Sequence, residues 1–473
     1  MMYRDYPATS IFIELRRDDL LPTILFRSAR KQCDTDILQL VKSKACQLNV
    51  HEQLYLREQV VAIINKYSID KEIIYQHPQY AALIKTGAGA HHAGQLLIWR
   101  ILLEELMTRG ALKIMVATST VAAGVDFPAR SVVLTAHSRR GQDGYRLISA
   151  SELQQMSGRA GRRGRDSVGF CLVAPSIFSD ARVISDVSKK PPEPLRSAYF
   201  ASPSTVLNLL RYRSVDDLKF TVAHSLASFL DRKNANLKRA ELSKLESEAE
   251  KLDPESGQHK KLSKRIRREF RLADEFENRQ MDLLQKSLSG LEKLEHLKDG
   301  KLTEKGTWSA HLCTSLVLEL SEAISSDLFK DIGIVELIGL LASISGTSHK
   351  VYLSIKENPV DKKYFVKMNE VLKKVAAAYE RPPSTSDLEV MPDASTTVLT
   401  WMESANWQEF SGLLRLAGVA EGDVARLVSQ TADHLHQISR LSETFPALAA
   451  TAEEARFRIL KPPLSEVLAA SEI

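Results

Sequence analysis

Long apolar runs are missing from this 473-residue chain: no stretch approaches the roughly 20 consecutive apolar residues that a membrane-crossing helix needs. The opening residues, MMYRDYPATS, lack the apolar core of a secretory signal. No membrane partner is expected. Cysteine is scarce, and Cys33, Cys46, Cys171 and Cys313 are scattered without metal-ligand spacing, which points to reduced thiols, no metal site of their own and a cytoplasmic location. An excess of one charge sign is also lacking. With 64 Lys and Arg against 59 Asp and Glu, the net charge of +5 permits a polyanionic partner without demanding one. No internal repeat or low-complexity tract appears. A charged content of 26% and a hydrophobic content of 44% are those of an ordinary soluble protein, long enough for about three domains.

What is present between residues 20 and 180 is an alternation of short β-branched runs with amphipathic segments. PTILF (Pro22–Phe26), ALKIMVAT (Ala111–Thr118), SVVLTA (Ser131–Ala136) and GFCLVAP (Gly169–Pro175) read as strands. DTDILQLVKS and GQLLIWRILLEELMTRG (Gly94–Gly110) read as helices, the second ending at a glycine stop. This alternation predicts an α/β domain whose parallel sheet is covered on both faces, with its functional loops at the carboxyl ends of the strands. After Lys189-Lys190-Pro191-Pro192 the pattern turns helical, and the rest is expected to be all-α. Leu242, Leu245, Ala249 and Leu252 form one apolar stripe, and Leu262, Ile266, Phe270 and Ala273 a second, on either side of DPESGQ. Those two stripes predict an antiparallel helical hairpin, for which a solvated helix pair without a ligand is the plain reading. Residues 305 to 473 read as a helical bundle.

One stretch carries chemistry. Gln155–Gly164 reads QMSGRAGRRG, with three glycines and three arginines. Gln155, Arg159 and Arg162 recur at spacings of four and three, so they would share one face if the segment opens a helix. Two guanidinium groups converging on one spot repel each other unless an anion lies between them, and a polyphosphate suits that place. Upstream, the strand Ala111–Ala117 runs into TSTVAAGVDFPAR (Thr118–Arg130), a small-residue loop whose amides could approach a phosphate chain. Asp126 there could accept from a ribose hydroxyl, although an ordinary strand-to-helix turn would look the same.

TSTVAAGVDFPA and QMSGRAGRRG resemble motifs V and VI of superfamily 2 helicases, specifically of the Ski-like DExH group. TILFRSARKQC (Thr23–Cys33) is similar to motif IV, and GAHHAG (Gly89–Gly94) to motif IVa. SPSTVLNLLRYRSVDDLKFTVAHSLASFL resembles the family's winged-helix segment. LEHLKDGKLTEKGTWSA, DLFKDIGIVELIGLLASI and EGDVARLVSQTADHLHQISRL resemble its helical C-terminal domain, of DSHCT type. The resemblance implies a second RecA-like domain at 1–185, a winged-helix-like segment at 186–234, a charged helical hairpin at 235–297 and a helical C-terminal domain at 298–473.

Functional roles follow from the same resemblance. Arg159 and Arg162 would be arginine fingers on the ATP γ-phosphate, worth roughly 10³ to 10⁵ in rate in phosphoryl-transfer systems. Gln155 would orient the nucleotide or the attacking water, with Gly124, Asp126 and Gly158 facing the nucleotide. Ser28, His91, His92, Thr118 and Thr120 would contact the nucleic-acid backbone, which fixes register without reading bases. Between motifs V and VI, Asp143-Gly144 signals a hairpin within His137–Glu152. In the family a hairpin here lies near the point where the duplex is parted. Arg139, Arg140 and Arg146 would give it a basic rim and Tyr145 a stacking face, while a bland surface hairpin fits as well. The expected partners are RNA or another single-stranded nucleic acid, with RNA-decay factors as further candidates, and the motifs themselves do not separate RNA from DNA.

A helicase of this class also needs a GxxxxGK[ST] loop and a DExH carboxylate pair, which hold ATP and Mg²⁺ in a first RecA-like domain. Neither stands ahead of motif IV, and KTGAGAHHAG has no Gly-Lys-Ser/Thr ending. The expectation is therefore half of an ATP site. A first RecA-like domain, in cis or in trans, would have to supply the rest, and the chain alone would not hydrolyse ATP. A fragment or a mis-called start is expected ahead of a split gene or a decayed frame. The competing reading is a non-catalytic nucleic-acid-binding or scaffold protein.

Overall fold

The computed structural model describes residues 6–119, 129–141, 144–354, 357–382 and 388–465. In chain order the first seven strands are β1 (Thr23–Phe26), β2 (Ala88–His91), β3 (Ile114–Ala117), β4 (Ser131–Leu134), β5 (Ser138–Gly141), β6 (Gly144–Leu147) and β7 (Phe170–Val173). Five of them form one sheet in the order β2-β3-β1-β4-β7, with every neighbouring pair parallel. β5 and β6 pair as a separate antiparallel hairpin. The four strands read from sequence are present, trimmed at their ends. β2 was not anticipated, because its AGAH has no β-branched residue to signal a strand.

Strand geometry sends alternate side chains to opposite faces, and both faces here are covered. Leu25, Ile114, Val116 and Val133 meet Ile11, Phe12 and Leu15 of helix Ala8–Arg17 and Ile37 and Leu40 of helix Arg30–Lys42. Ile24, Phe26, Met115, Val132 and Leu134 turn the other way, into the core that holds Trp99, Leu102, Leu103 and Leu106 of helix Leu97–Thr108. Burying one such side chain contributes about 1.5–3 kcal/mol, so the central strands β1, β3 and β4 are fixed in register by their own alternation.

Beyond the sheet the chain is helical. Helices Leu226–Ala249 and Gly257–Lys293 form the expected antiparallel pair, the first starting at Leu226 rather than at 235. Leu242, Leu245, Ala249 and Ala273 are buried between them, but Phe270 is 56% exposed. The packed stripe passes instead through Glu269, four residues before Ala273, whose carboxylate meets Lys238 Nζ at 2.8 Å. The short helices Pro203–Leu210 and Val215–Ala223 pack on helix Gly257–Lys293, and the first also touches a two-stranded ribbon of β8 (Leu297–Lys298) and β9 (Lys301–Leu302). Elements on either side of the hairpin therefore pack together.

The C-terminal bundle centres on helix Ile334–Ser345, packed by Pro392–Glu403, Glu421–Ser439 and Pro446–Ile459. Where the ribbon meets the bundle, the carboxylate of Glu322 is 1% exposed and pairs with Lys305 and, at 2.7 Å, with Lys374, with His296 Nε2 3.6 Å away. Burial alone would push this carboxyl up, but those cations and the imidazole bring it down to about 2.

Candidate functional site

The QMSGRAGRRG segment closes a helix instead of opening one. Helix Ala150–Ser157 begins at a capping box in which Ser149 and Glu152 exchange hydrogen bonds. It ends when Gly158 N–H donates to Gln154 O. Exposed Gln155 stays on the last turn, while Arg159 and Arg162 leave the helix, so the shared helical face expected from their spacing does not form. A tight loop replaces it. Ala129 N–H donates to Arg159 O at 2.8 Å and Gly161 N–H to Ala129 O at 2.7 Å. Gly161 adopts φ +94, and a Cβ on Gly169 would lie 2.4 Å from the Ala160 carbonyl. Glycine is required at both places, one for the turn and one for the close approach.

Arg162 is held by Asp166. Its Nε donates to Oδ2 at 2.8 Å, its Nη2 to Oδ1 at 2.7 Å and its backbone N–H to Oδ2 at 2.9 Å. The Asp166 side chain is 3% exposed, and the Arg162 guanidinium brings its carboxyl down to about 2. A guanidinium carries five N–H donors in a planar fork. Asp166 takes one edge, leaving three donors directed elsewhere. The anion anticipated between two arginines is, for Arg162, an internal carboxylate. Arg162 also lines a polar cavity of about 530 Å³ with Arg16, Asp19, Glu52 and Lys113.

A second cluster lies at the carboxyl ends of the strands. Ser28, Ser119 and Arg139 line a small cavity of about 50 Å³ with Glu152 and Met156. Ser28 is exposed two residues past β1, and Thr118, just past β3, donates its backbone N–H to His91 O at 3.4 Å. Arg139 Nη2 meets Glu152 Oε1 at 2.5 Å, and Arg146 makes a bidentate pair with the same carboxylate at 2.7 and 2.8 Å. Two of the hairpin's expected basic groups are therefore folded back onto Glu152. Tyr145 is 80% exposed at the hairpin tip.

His91 and His92 do not present their rings to solvent. His91 Nε2 meets Glu104 Oε1 at 2.6 Å, and His92 Nε2 meets Asp34 Oδ1 at 3.1 Å, with exposures of 4% and 3%. Both rings are turned inward onto carboxylates of helices Arg30–Lys42 and Leu97–Thr108, beside the loop that follows β2. Thr120, Gly124 and Asp126, and the side chain of Arg140, lie outside the described residues.

The two clusters sit on opposite edges of the sheet, which corrects the expectation that every functional loop gathers at the carboxyl ends. Helix Ala150–Ser157 carries the chain back, and the following loop pairs Ala160 with Ala129, just before β4 begins. Asp166 and Glu152, the carboxylates that pair with the candidate arginines, were not singled out from sequence. Opposite charges four apart, Arg162 and Asp166, were the available signal for the first. Among the described residues no group of three His, Cys, Asp or Glu side chains is placed to hold a metal.

Comparison with known proteins places both regions. The helicase conserved C-terminal domain family matches residues 90–164 and the DSHCT (NUC185) domain family matches residues 299–466. The chain is 32% identical over 233 residues to the DExH-box ATP-dependent RNA helicase DExH10 of Arabidopsis thaliana, covering 48% of this chain and 23% of that protein. It is 34% identical over 197 residues to the exosome RNA helicase MTR4 of Homo sapiens, covering 41% and 18%. Against the antiviral helicase SKI2 of Saccharomyces cerevisiae it is 30% identical over 203 residues, covering 42% and 16%. The matched stretches thus span less than a quarter of these relatives.

Proposed function

We propose, for a chain homologous to the carboxy-terminal portion of the Ski-like DExH helicases, that it supplies one wall of an ATP site and the adjoining nucleic-acid contacts of an RNA helicase with 3′-to-5′ polarity. The observation that carries this reading is the Asp166-held Arg162 at the end of a glycine-pinned loop. An arginine fixed along one edge is already oriented, so little of its rotamer freedom remains to be lost when the other edge meets phosphate. Arg162 and Arg159 would donate to the γ-phosphoryl oxygens as charge develops on them, and Gln155 would orient the attacking water. Gly124, Asp126 and Gly158 would face the nucleotide. The donor set fits phosphate and not a metal, so Mg²⁺ belongs to the opposite wall, where it would neutralise the phosphates.

That wall, with its Walker loop and DExH carboxylates, is not written in these 473 residues. A first RecA-like domain must meet this one in cis or in trans. At the carboxyl edge, Ser28, Thr118 and Thr120 would contact the backbone of the translocating strand, with Arg139, Arg140 and Tyr145 at the fork. His91 and His92 act by holding the loop beside them. Two of the relatives are named RNA helicases, one of them an exosome RNA helicase, and RNA-decay factors in the cytoplasm are the partners this reading favours. In an enzyme completed with the first domain, Arg162→Ala should abolish RNA-stimulated ATP turnover while leaving RNA affinity within about threefold, a shift below 1 kcal/mol. Normal turnover by that variant would remove the finger assignment.

A further inference from the structure

The helical domain touches the α/β domain at one place that tolerates no side chain. Gly422, second residue of helix Glu421–Ser439, donates its N–H to Gly94 O at 3.0 Å. A Cβ there would lie 2.4 Å from Ala93 O, 2.6 Å from Gln95 O and 2.9 Å from Gly94 C. All three are backbone atoms and cannot rotate aside. The next residue, Asp423, is 14% exposed and meets Arg30 Nη1 at 2.9 Å and Lys350 Nζ at 3.0 Å.

Arg30 opens helix Arg30–Lys42, two residues after Ser28. One turn further along that helix, Asp34 Oδ1 accepts from Gln95 Nε2 at 3.0 Å and meets His92 Nε2 at 3.1 Å. The contacts close a ring: Asp423 to Arg30, along the helix to Asp34, across to His92 and Gln95, and back through Gly94 to Gly422. Two consecutive residues of the helical domain thus clamp both loops that follow β1 and β2.

We infer that Gly422 and Asp423 are positioning residues, through which the helical domain sets the two strand-facing loops at the carboxyl edge of the sheet. The inference rests on the nucleic-acid reading of that edge, but the clamp itself does not. Displacing helix Glu421–Ser439 drags Arg30 and Gly94 with it, so the bundle and the loops report one state of the strand.

The test uses the 473-residue chain with a fluorescein-labelled 20-nucleotide oligouridylate, read by anisotropy alongside amide exchange. Gly422→Val should weaken binding about tenfold and speed exchange of the amides at residues 93–97 at least about tenfold. Asp423→Asn should weaken binding about threefold, and Asp423→Glu should restore affinity and protection, a rescue that mere packing would not give. Unchanged exchange and affinity in both Gly422→Val and Asp423→Asn would overturn the inference. Should Gly422→Val fail to fold, the Asp423 pair decides alone. If the wild-type chain binds no oligouridylate, the proposed function fails at this edge, and the exchange data then decide the clamp by themselves.

Discussion

Replacing Asp166 by asparagine removes the charge that holds Arg162 while keeping the shape. The carboxylate accepts three bonds from Arg162, two from the guanidinium at 2.7 and 2.8 Å and one from the backbone at 2.9 Å. Asparagine keeps one acceptor oxygen and turns an NH₂ toward the fork, donor against donor. The loss is one charge-assisted bond, about 1.5–3 kcal/mol, lowered to about 1–2 kcal/mol because the Arg162 side chain is 19% exposed and water can partly replace the partner. A deficit of that size lowers the occupancy of the paired conformer about tenfold. In a completed enzyme, Asp166→Asn should therefore reduce the RNA-stimulated kcat about tenfold without changing RNA affinity, whereas Arg162→Ala should cost about 10³ or more. The double variant should be no slower than Arg162→Ala, because Asp166 acts only through Arg162. Steady-state ATPase assays decide it. Full turnover by Asp166→Asn, or a further tenfold loss in the double variant, would refute the reasoning. The effect should hold across neutral pH. The folded carboxyl lies near 2, below its ordinary 3.8, so its contribution is complete above 3.8 and lost only as pH falls through 2.

Glu322→Gln should destabilise the chain by about 3 kcal/mol in urea denaturation at pH 7, since the carboxyl falls from an ordinary 4.5 to about 2 on folding. That contribution is present above 4.5 and lost as pH falls through 2, so the variant should show a flatter acid limb there; an unchanged slope would contradict the assignment. Arg139→Glu with Arg140→Glu should reduce duplex unwinding by a completed enzyme more than it reduces ATP turnover, and equal loss of both would argue against a strand-parting hairpin.

The sheet was legible because buried parallel strands leave short runs such as TILF and SVVL, bounded by turns. β2 was not, because AGAH is stranded by its neighbours' hydrogen bonds and not by its own side chains. The hairpin's existence could be read from two stripes, but Phe270 could not be placed, since a wheel drawn through Leu262 and Ile266 does not show that Glu269 is paid in by Lys238 from the facing helix. At the site, residue types were visible and directions were not. Arg162 looked like half of a converging pair, and only the fold shows Asp166 along its edge. His91 and His92 were read by resemblance as nucleic-acid contacts, and only the path of helices Arg30–Lys42 and Leu97–Thr108 brings Asp34 and Glu104 over them. The clamp at Gly422 is more than 300 residues from its partner Gly94, a distance no local pattern spans.

ATP hydrolysis by the 473-residue chain, with and without RNA and with and without an added first RecA-like domain from a Ski-like helicase, tests the central claim most directly. Half a site predicts no turnover above background from the chain alone, and RNA-stimulated turnover that appears on adding the second polypeptide and disappears with Arg162→Ala. Turnover of about 1 s⁻¹ or more from the chain alone, the ordinary enzyme range, would contradict it.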